Sequence, residues 1–95
     1  MSAAQRVEKI RQMLTAQLAP VSLEIRDDSA KHAGHAGALE GGHFSIMVVS
    51  ERFAGCTRLQ RHQLVYEAVA PLMRTDIHAL SIQAHTPQEQ TRSTI

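Results

Sequence analysis

Residues Asp27 to Phe44 read DDSAKHAGHAGALEGGHF, a stretch that holds three of the six histidines and four of the five glycines. Glycine at this density leaves little side-chain surface to bury and frees the backbone, so the composition predicts a loop along which imidazoles are displayed. The flanks read differently. Before the loop, Val21, Leu23 and Ile25 alternate with Ser22, Glu24 and Arg26, the period of a strand with one buried face. After it, Phe44 to Val49 is apolar and β-branched, which predicts a second strand pairing antiparallel with the first. Loops this long inside a small domain are uncommon unless they serve a purpose.

Working outward toward the N-terminus, Val7, Ile10, Met13, Leu14 and Leu18 recur at helical spacing, while Arg6, Glu8, Lys9 and Arg11 fall elsewhere around the axis. Ser2-Ala3-Ala4-Gln5 has the spacing of a capping box at the start of this helix, and Pro20 stops it. Toward the C-terminus, Glu51 to Cys56 is a turn punctuated by Gly55, and Thr57-Arg58-Leu59-Gln60 repeats the capping-box spacing. Leu59, Val65, Ala68, Val69, Leu72 and Met73 then form the apolar stripe of a second helix. Pro71 removes one of its hydrogen bonds, so the helix is expected to kink or to end near Ala70. From Ile77 the period returns to two, with His78, Leu80, Ile82 and Ala84 on one face and Ala79, Ser81, Gln83 and His85 on the other. Thr86-Pro87-Gln88-Glu89 starts a last helical turn, and residues 88–95 are polar enough to be expected as a flexible tail. The result is one domain over residues 1–87, of the α+β class, with helices on one face of a three-stranded mixed sheet.

A chain of 95 residues buries roughly 60 to 70% of its unfolded surface, enough for a single core. One Tyr, two Phe and no Trp make that core aliphatic and exclude an aromatic stacking platform. The formal charge of +1 is too close to neutral to supply the electrostatic affinity of a non-specific nucleic-acid binder. A single cysteine rules out an internal disulfide and suits a reducing compartment. With neither a signal peptide nor an apolar run long enough to span a membrane, a cytoplasmic location is expected. No nucleophile with a base beside it points to turnover, so the reading is a binding protein, monomeric or weakly dimeric in isolation.

The histidines carry the remaining chemistry. His78 shares its expected strand face with apolar residues, where a half-buried, hydrogen-bonded histidine is the ordinary case. His32 and His35 have HxxH spacing, which places two ligands together on a helix but fixes no geometry in a glycine-rich loop. His43 opens the second strand beside Phe44, where a structural role is equally natural. Cys56 lies in the turn before the second helix, and with the loop histidines it offers a mononuclear zinc or copper site. Arg52, Arg58, Arg61, His62 and Arg74 form either a solvated polar surface or one that contacts a partner or nucleic acid. Gly34-His35-Ala36-Gly37 matches the GxxG of KH domains, but it lies between strands rather than between helices, which argues against KH-type clamping of RNA.

Several of these pieces together resemble the BolA family: GGHF at 41–44, VVSERF at 48–53, LQRHQLVYEAV at 59–69 and TDIHALSIQAHTP at 75–87. The resemblance runs from about Val7 to Pro87, and the combination RHxxVY with IHALSI is specific. It implies an αββααβ fold related to the type II KH domain. It also implies association with a monothiol glutaredoxin and a shared [2Fe-2S] cluster. By the same resemblance His78 would be one ligand from this chain and His32 the other, with His35 and His43 as loop alternatives. The glutaredoxin thiolate and a glutathione thiol would complete the second iron. In some members the second helix and third strand are linked to DNA binding and transcriptional control. The chain's own chemistry is compatible, since one cysteine cannot hold such a cluster with thiolates alone and outside thiols become a requirement.

Overall fold

The structure, a computed structural model, describes residues 3–28, 42–73 and 75–93. In chain order these form α1 (Ala3–Leu18), β1 (Ser22–Asp27), β2 (Gly42–Val49), α2 (Arg58–Ala68), β3 (Ile77–His85) and α3 (Pro87–Ser93), with 3-10 turns at Glu51–Phe53 and Ala70–Leu72. The sheet order is β1-β2-β3. β1 runs antiparallel to β2, and β3 runs parallel to it, so the sheet is mixed as expected.

One face of the sheet is buried. Phe44, Ile46 and Val48 of β2 pack with Ile10, Leu14 and Leu18 of α1 and with Val65 and Ala68 of α2, joined by Phe53, Val69, Leu72 and Ile77. Each fully buried aliphatic or aromatic side chain contributes about 1.5–3 kcal/mol relative to exposure, so this aliphatic cluster is the main stabilising term. Leu23 and Ile25 pack against its rim, whereas Val21 lies before β1 and is 65% exposed, which shortens the buried face expected there. Leu59 is likewise outside the core at 68% exposure. It sits in the first turn of α2, six residues before Val65, a spacing that turns it about 120° around the helix from that buried side chain.

Capping follows local chemistry closely. Thr57 and Gln60 form the full reciprocal box: Gln60 N–H donates to Thr57 Oγ1 at 3.1 Å and Thr57 N–H donates to Gln60 Oε1 at 2.9 Å. Ser2 lies outside the described residues. α1 ends with Ala19 in the left-handed region at φ 44°, followed by Pro20. Pro71 does not kink α2; the helix closes at Ala68 and Pro71 sits in the 3-10 turn that follows. Ser50 is fully buried between these elements. Its hydroxyl donates to Leu18 O at 2.6 Å and accepts from Arg52 N–H at 3.1 Å, tying the end of α1 to the end of β2.

The residues from 88 onward, expected as a flexible tail, are helical as far as Ser93. Thr86 and Glu89 form another capping box, with Thr86 N–H donating to Glu89 Oε1 at 3.0 Å and Glu89 N–H to Thr86 Oγ1 at 3.2 Å. Arg61 of α2 then clamps Glu89 through two bonds of 2.6 and 2.9 Å. That guanidinium and the Thr86 backbone hold the Glu89 carboxyl down at about 2, well below the ordinary 4.5. Arg61 is held up correspondingly by the same carboxylate. Because the folded carboxyl titrates lower than the unfolded one, its stabilisation is present above about pH 4.5 and is lost as pH falls toward about 2.

Two outcomes are expected. The melting-temperature gap between wild type and Glu89→Gln should be widest above about pH 4.5 and should close as pH falls toward about 2. Ser50→Ala, which strands the Leu18 carbonyl in a buried site, should lower unfolding free energy by about 1–3 kcal/mol in urea titration.

Candidate functional site

Parallel pairing puts the first residues of β2 and β3 at the same end of the sheet. His43 is the second residue of β2 and His78 the second of β3, and their ring centroids lie 5.1 Å apart with planes inclined at 49°. The pairing register explains the approach. Gly42 opposes Ile77, yet the next residue, His43, opposes Ala79, so β3 carries one extra residue there, and that residue is His78. A bulge of this kind re-aims a side chain. Its cause is packing: Ile77 is buried, and Leu80, Ile82 and Ala84 also pack on the core, but an odd step from 77 to 80 cannot keep both on one face without an inserted residue. His78 is therefore exposed rather than sharing the face of Leu80 and Ile82, which corrects the simple alternation read along Ile77 to Ala84.

The corner is pinned by backbone bonds on both sides. Asp28 N–H donates to His43 O at 2.7 Å, and Gly42 N–H donates to Asp76 O at 3.0 Å. The Asp28 carboxylate accepts from Arg26 Nε at 2.8 Å and from the Ser45 hydroxyl. Asp76, nearly buried, donates its N–H to Leu72 O at 2.8 Å, and its carboxylate lies 3.9 Å from Arg6 Nε, an electrostatic contact too long for a hydrogen bond. The chain leaves the sheet at Asp28 and returns at Gly42, so the segment that carries His32 and His35 is anchored at this corner at both ends. Those two histidines lie outside the described residues.

Two imidazoles this close suit a shared ion: nitrogen–metal bonds of about 2.1 Å in tetrahedral geometry place ring centroids about 5 Å apart. Among the described residues, no group of three or more His, Cys, Asp or Glu side chains is arranged to hold a metal ion. The pair therefore offers two ligands and needs others from elsewhere. Cys56 is not one of them. Its carbonyl accepts from Arg61 Nε at 3.1 Å, and Arg61 Nη1 donates to Ala84 O at 3.2 Å, which puts the α2 start at the far end of β3. Six strand residues, about 20 Å, separate Ala84 from His78.

The arginine candidates divide. Arg61 is committed to Glu89, Ala84 and Cys56 and is withdrawn from any contact surface. Arg52 and Arg58 are exposed, His62 is half-buried, and Arg74 lies outside the described residues. Arg58 borders an open groove of about 740 Å³ on the uncovered sheet face, floored by Glu24, Arg26, Ser45, Met47 and Gln83. Sequence reasoning missed the bulge, the Ser50 tie and the Arg61 clamp. The apolar pair Ile77 and Leu80 at odd spacing was the available signal for the first, and the TPQE capping box at Thr86 pointed to half of the last.

Comparison with known proteins places the fold. Residues 14–89 match the model of the family described as BolA-like protein. BolA-like protein 1 of Mus musculus is 46% identical over 80 residues, covering 84% of this chain and 57% of the mouse protein, so the chain spans little more than half of that relative's length. The DNA-binding transcriptional regulator BolA of Escherichia coli is 38% identical over 82 residues, covering 86% of this chain and 76% of that protein. The solved BolA domain of SufE1 from Arabidopsis thaliana superimposes with a TM-score of 0.80 at 40% identity, covering 94% of this chain and 98% of the domain. Well over half of the chain matches the family model, and its sheet, bulge and capped helices are carried on that matched segment: the chain belongs to the BolA family.

Proposed function

We propose that this chain is a non-enzymatic binding module that pairs with a monothiol glutaredoxin and contributes imidazole ligands from the sheet corner to a shared, labile [2Fe-2S] cluster. The observation that carries the reading is the approach of His43 and His78. An exposed imidazole turned out of its strand by a bulge, beside a second one, is a poor structural device and a good ligand pair. When bound, the cluster would supply one-electron chemistry or be the cargo itself, in iron–sulfur trafficking or iron and redox regulation. His78 is the first ligand in this proposal. The second is the imidazole that meets it: the resemblance favours His32, and the described geometry favours His43. The remaining ligands come from the glutaredoxin thiolate and glutathione, because Cys56 is at the opposite end of the sheet. A reducing compartment such as the cytoplasm fits a single free thiol.

A second reading is supported by the name of the E. coli relative, a DNA-binding transcriptional regulator. Here exposed Arg52 and Arg58 would contact phosphates, with affinity falling steeply as salt rises.

Anaerobic reconstitution with a monothiol glutaredoxin, iron, sulfide and glutathione tests the first reading. Wild type should reshape the visible absorption and circular dichroism of the glutaredoxin cluster, and His78→Ala should not. Loss of the change in His43→Ala but not His32→Ala assigns the second ligand to the corner pair, and the reverse assigns it to the loop. Absence of any complex or spectral change with wild type overturns the reading. For the DNA reading, Arg58→Ala should weaken binding and reduce the salt slope by about one, while His78→Ala leaves both unchanged; no measurable DNA affinity at low salt contradicts it.

A further inference from the structure

The two edges of the sheet are treated differently. On β3 two outward carbonyls are covered from within: Tyr66 Oη donates to Leu80 O at 3.4 Å and Arg61 Nη1 to Ala84 O at 3.2 Å. Among the described residues β1 has no such cover. The bond from Asp28 N–H to His43 O, with Arg26 opposite Ser45 and Glu24 opposite Met47, shows that the even-numbered residues of β1 turn their backbone groups toward β2. Leu23 and Ile25 therefore turn theirs outward, and among the described residues no partner meets them. Unpaired edge groups are a template for another strand.

We propose that the β1 edge is a homodimer interface in which a second copy's β1 pairs antiparallel about a two-fold axis at Ile25, joining two sheets into one of six strands. Register follows from charge. Only residues with outward backbone groups pair by hydrogen bonds, so the two strands shift in steps of two. With Ile25 opposite its own copy, Glu24 faces Arg26 of the second copy and Arg26 faces its Glu24, two opposite-charge pairs on the uncovered sheet face. A shift of two in one direction sets Glu24 against Glu24, and in the other sets Arg26 against Arg26. Cross-strand pairs of opposite charge stabilise a sheet and like pairs destabilise it. Both side chains are available: Glu24 is exposed with no described partner, and Arg26, 70% exposed, engages Asp28 through Nε and leaves its terminal nitrogens for a second carboxylate. On the other face the half-buried Ile25 side chains would meet and cover apolar surface that one copy leaves open. This interface does not depend on the cluster reading.

Sedimentation velocity on the intact chain at concentrations up to about 1 mM tests it, with far-ultraviolet circular dichroism to show that each variant is folded. Wild type is expected to dimerise in a concentration-dependent way. Glu24→Arg and Arg26→Glu should each weaken self-association by about tenfold or more, because each turns both pairs repulsive. An equimolar mixture of the two variants should recover the wild-type association, since a strand edge with two arginines then faces one with two glutamates. A wild type that stays monomeric throughout, a Glu24→Arg variant that dimerises as well as wild type, or a mixture that remains monomeric each overturns the proposal.

Discussion

One inserted residue in β3 sets the geometry of the histidine corner. Parallel pairing alone brings the starts of β2 and β3 together, but strict alternation would have sent the His78 ring toward the core with Leu80 and Ile82. The bulge between Gly42 and His43 resolves a packing conflict, since Ile77 and Leu80 both belong on the buried face. The residue caught between them is turned out, and it lands beside His43. The approach of the two imidazoles is thus a by-product of packing two aliphatic side chains at odd spacing.

The rest of the scaffold holds that corner in place. The aliphatic layer runs the length of the sheet, and two side-chain ties close its opposite end. There Ser50 ties α1 to β2, and Arg61 locks α2 to α3 through Glu89. At the histidine end, backbone bonds made by Asp28, Gly42 and Asp76, the Asp28 carboxylate bonds from Arg26 and Ser45, and buried Phe44 and Ile77 give the order, while His78 stays exposed and His43 half-buried. The proposed role would need a fixed platform carrying accessible imidazoles; the corner presents an exposed His78 beside a half-buried His43.

How much of this was legible in the chain depends on whether the signal was local. The strand periods around Leu23 and Ile46, the helical stripe through Ile10 and Leu14, and the Thr57–Gln60 box depend on neighbours a few residues apart, and each was readable. The family motifs located His78 itself. Its orientation was not readable from alternation, because a bulge is a property of two strands more than thirty residues apart in sequence and read one at a time they look regular. Leu59 was misplaced because its spacings of six to Val65 and nine to Ala68 do not return to the same helix face. The Arg61–Glu89 clamp links α2 to α3 across 28 residues and has no pattern of its own. It converts a polar stretch that reads as a loose tail into a packed helix.

Everything at the corner turns on His78 lying outside the strand alternation and against His43. Ring-proton NOE spectroscopy of the isolated chain tests this most directly. Cross-peaks between the His43 and His78 imidazoles, with no contacts from the His78 ring to the Leu80 and Ile82 methyls, are the predicted result. A His78 ring that contacts those methyls and not His43 would mean that β3 is regular, and the proposed ligand pair would dissolve with the bulge.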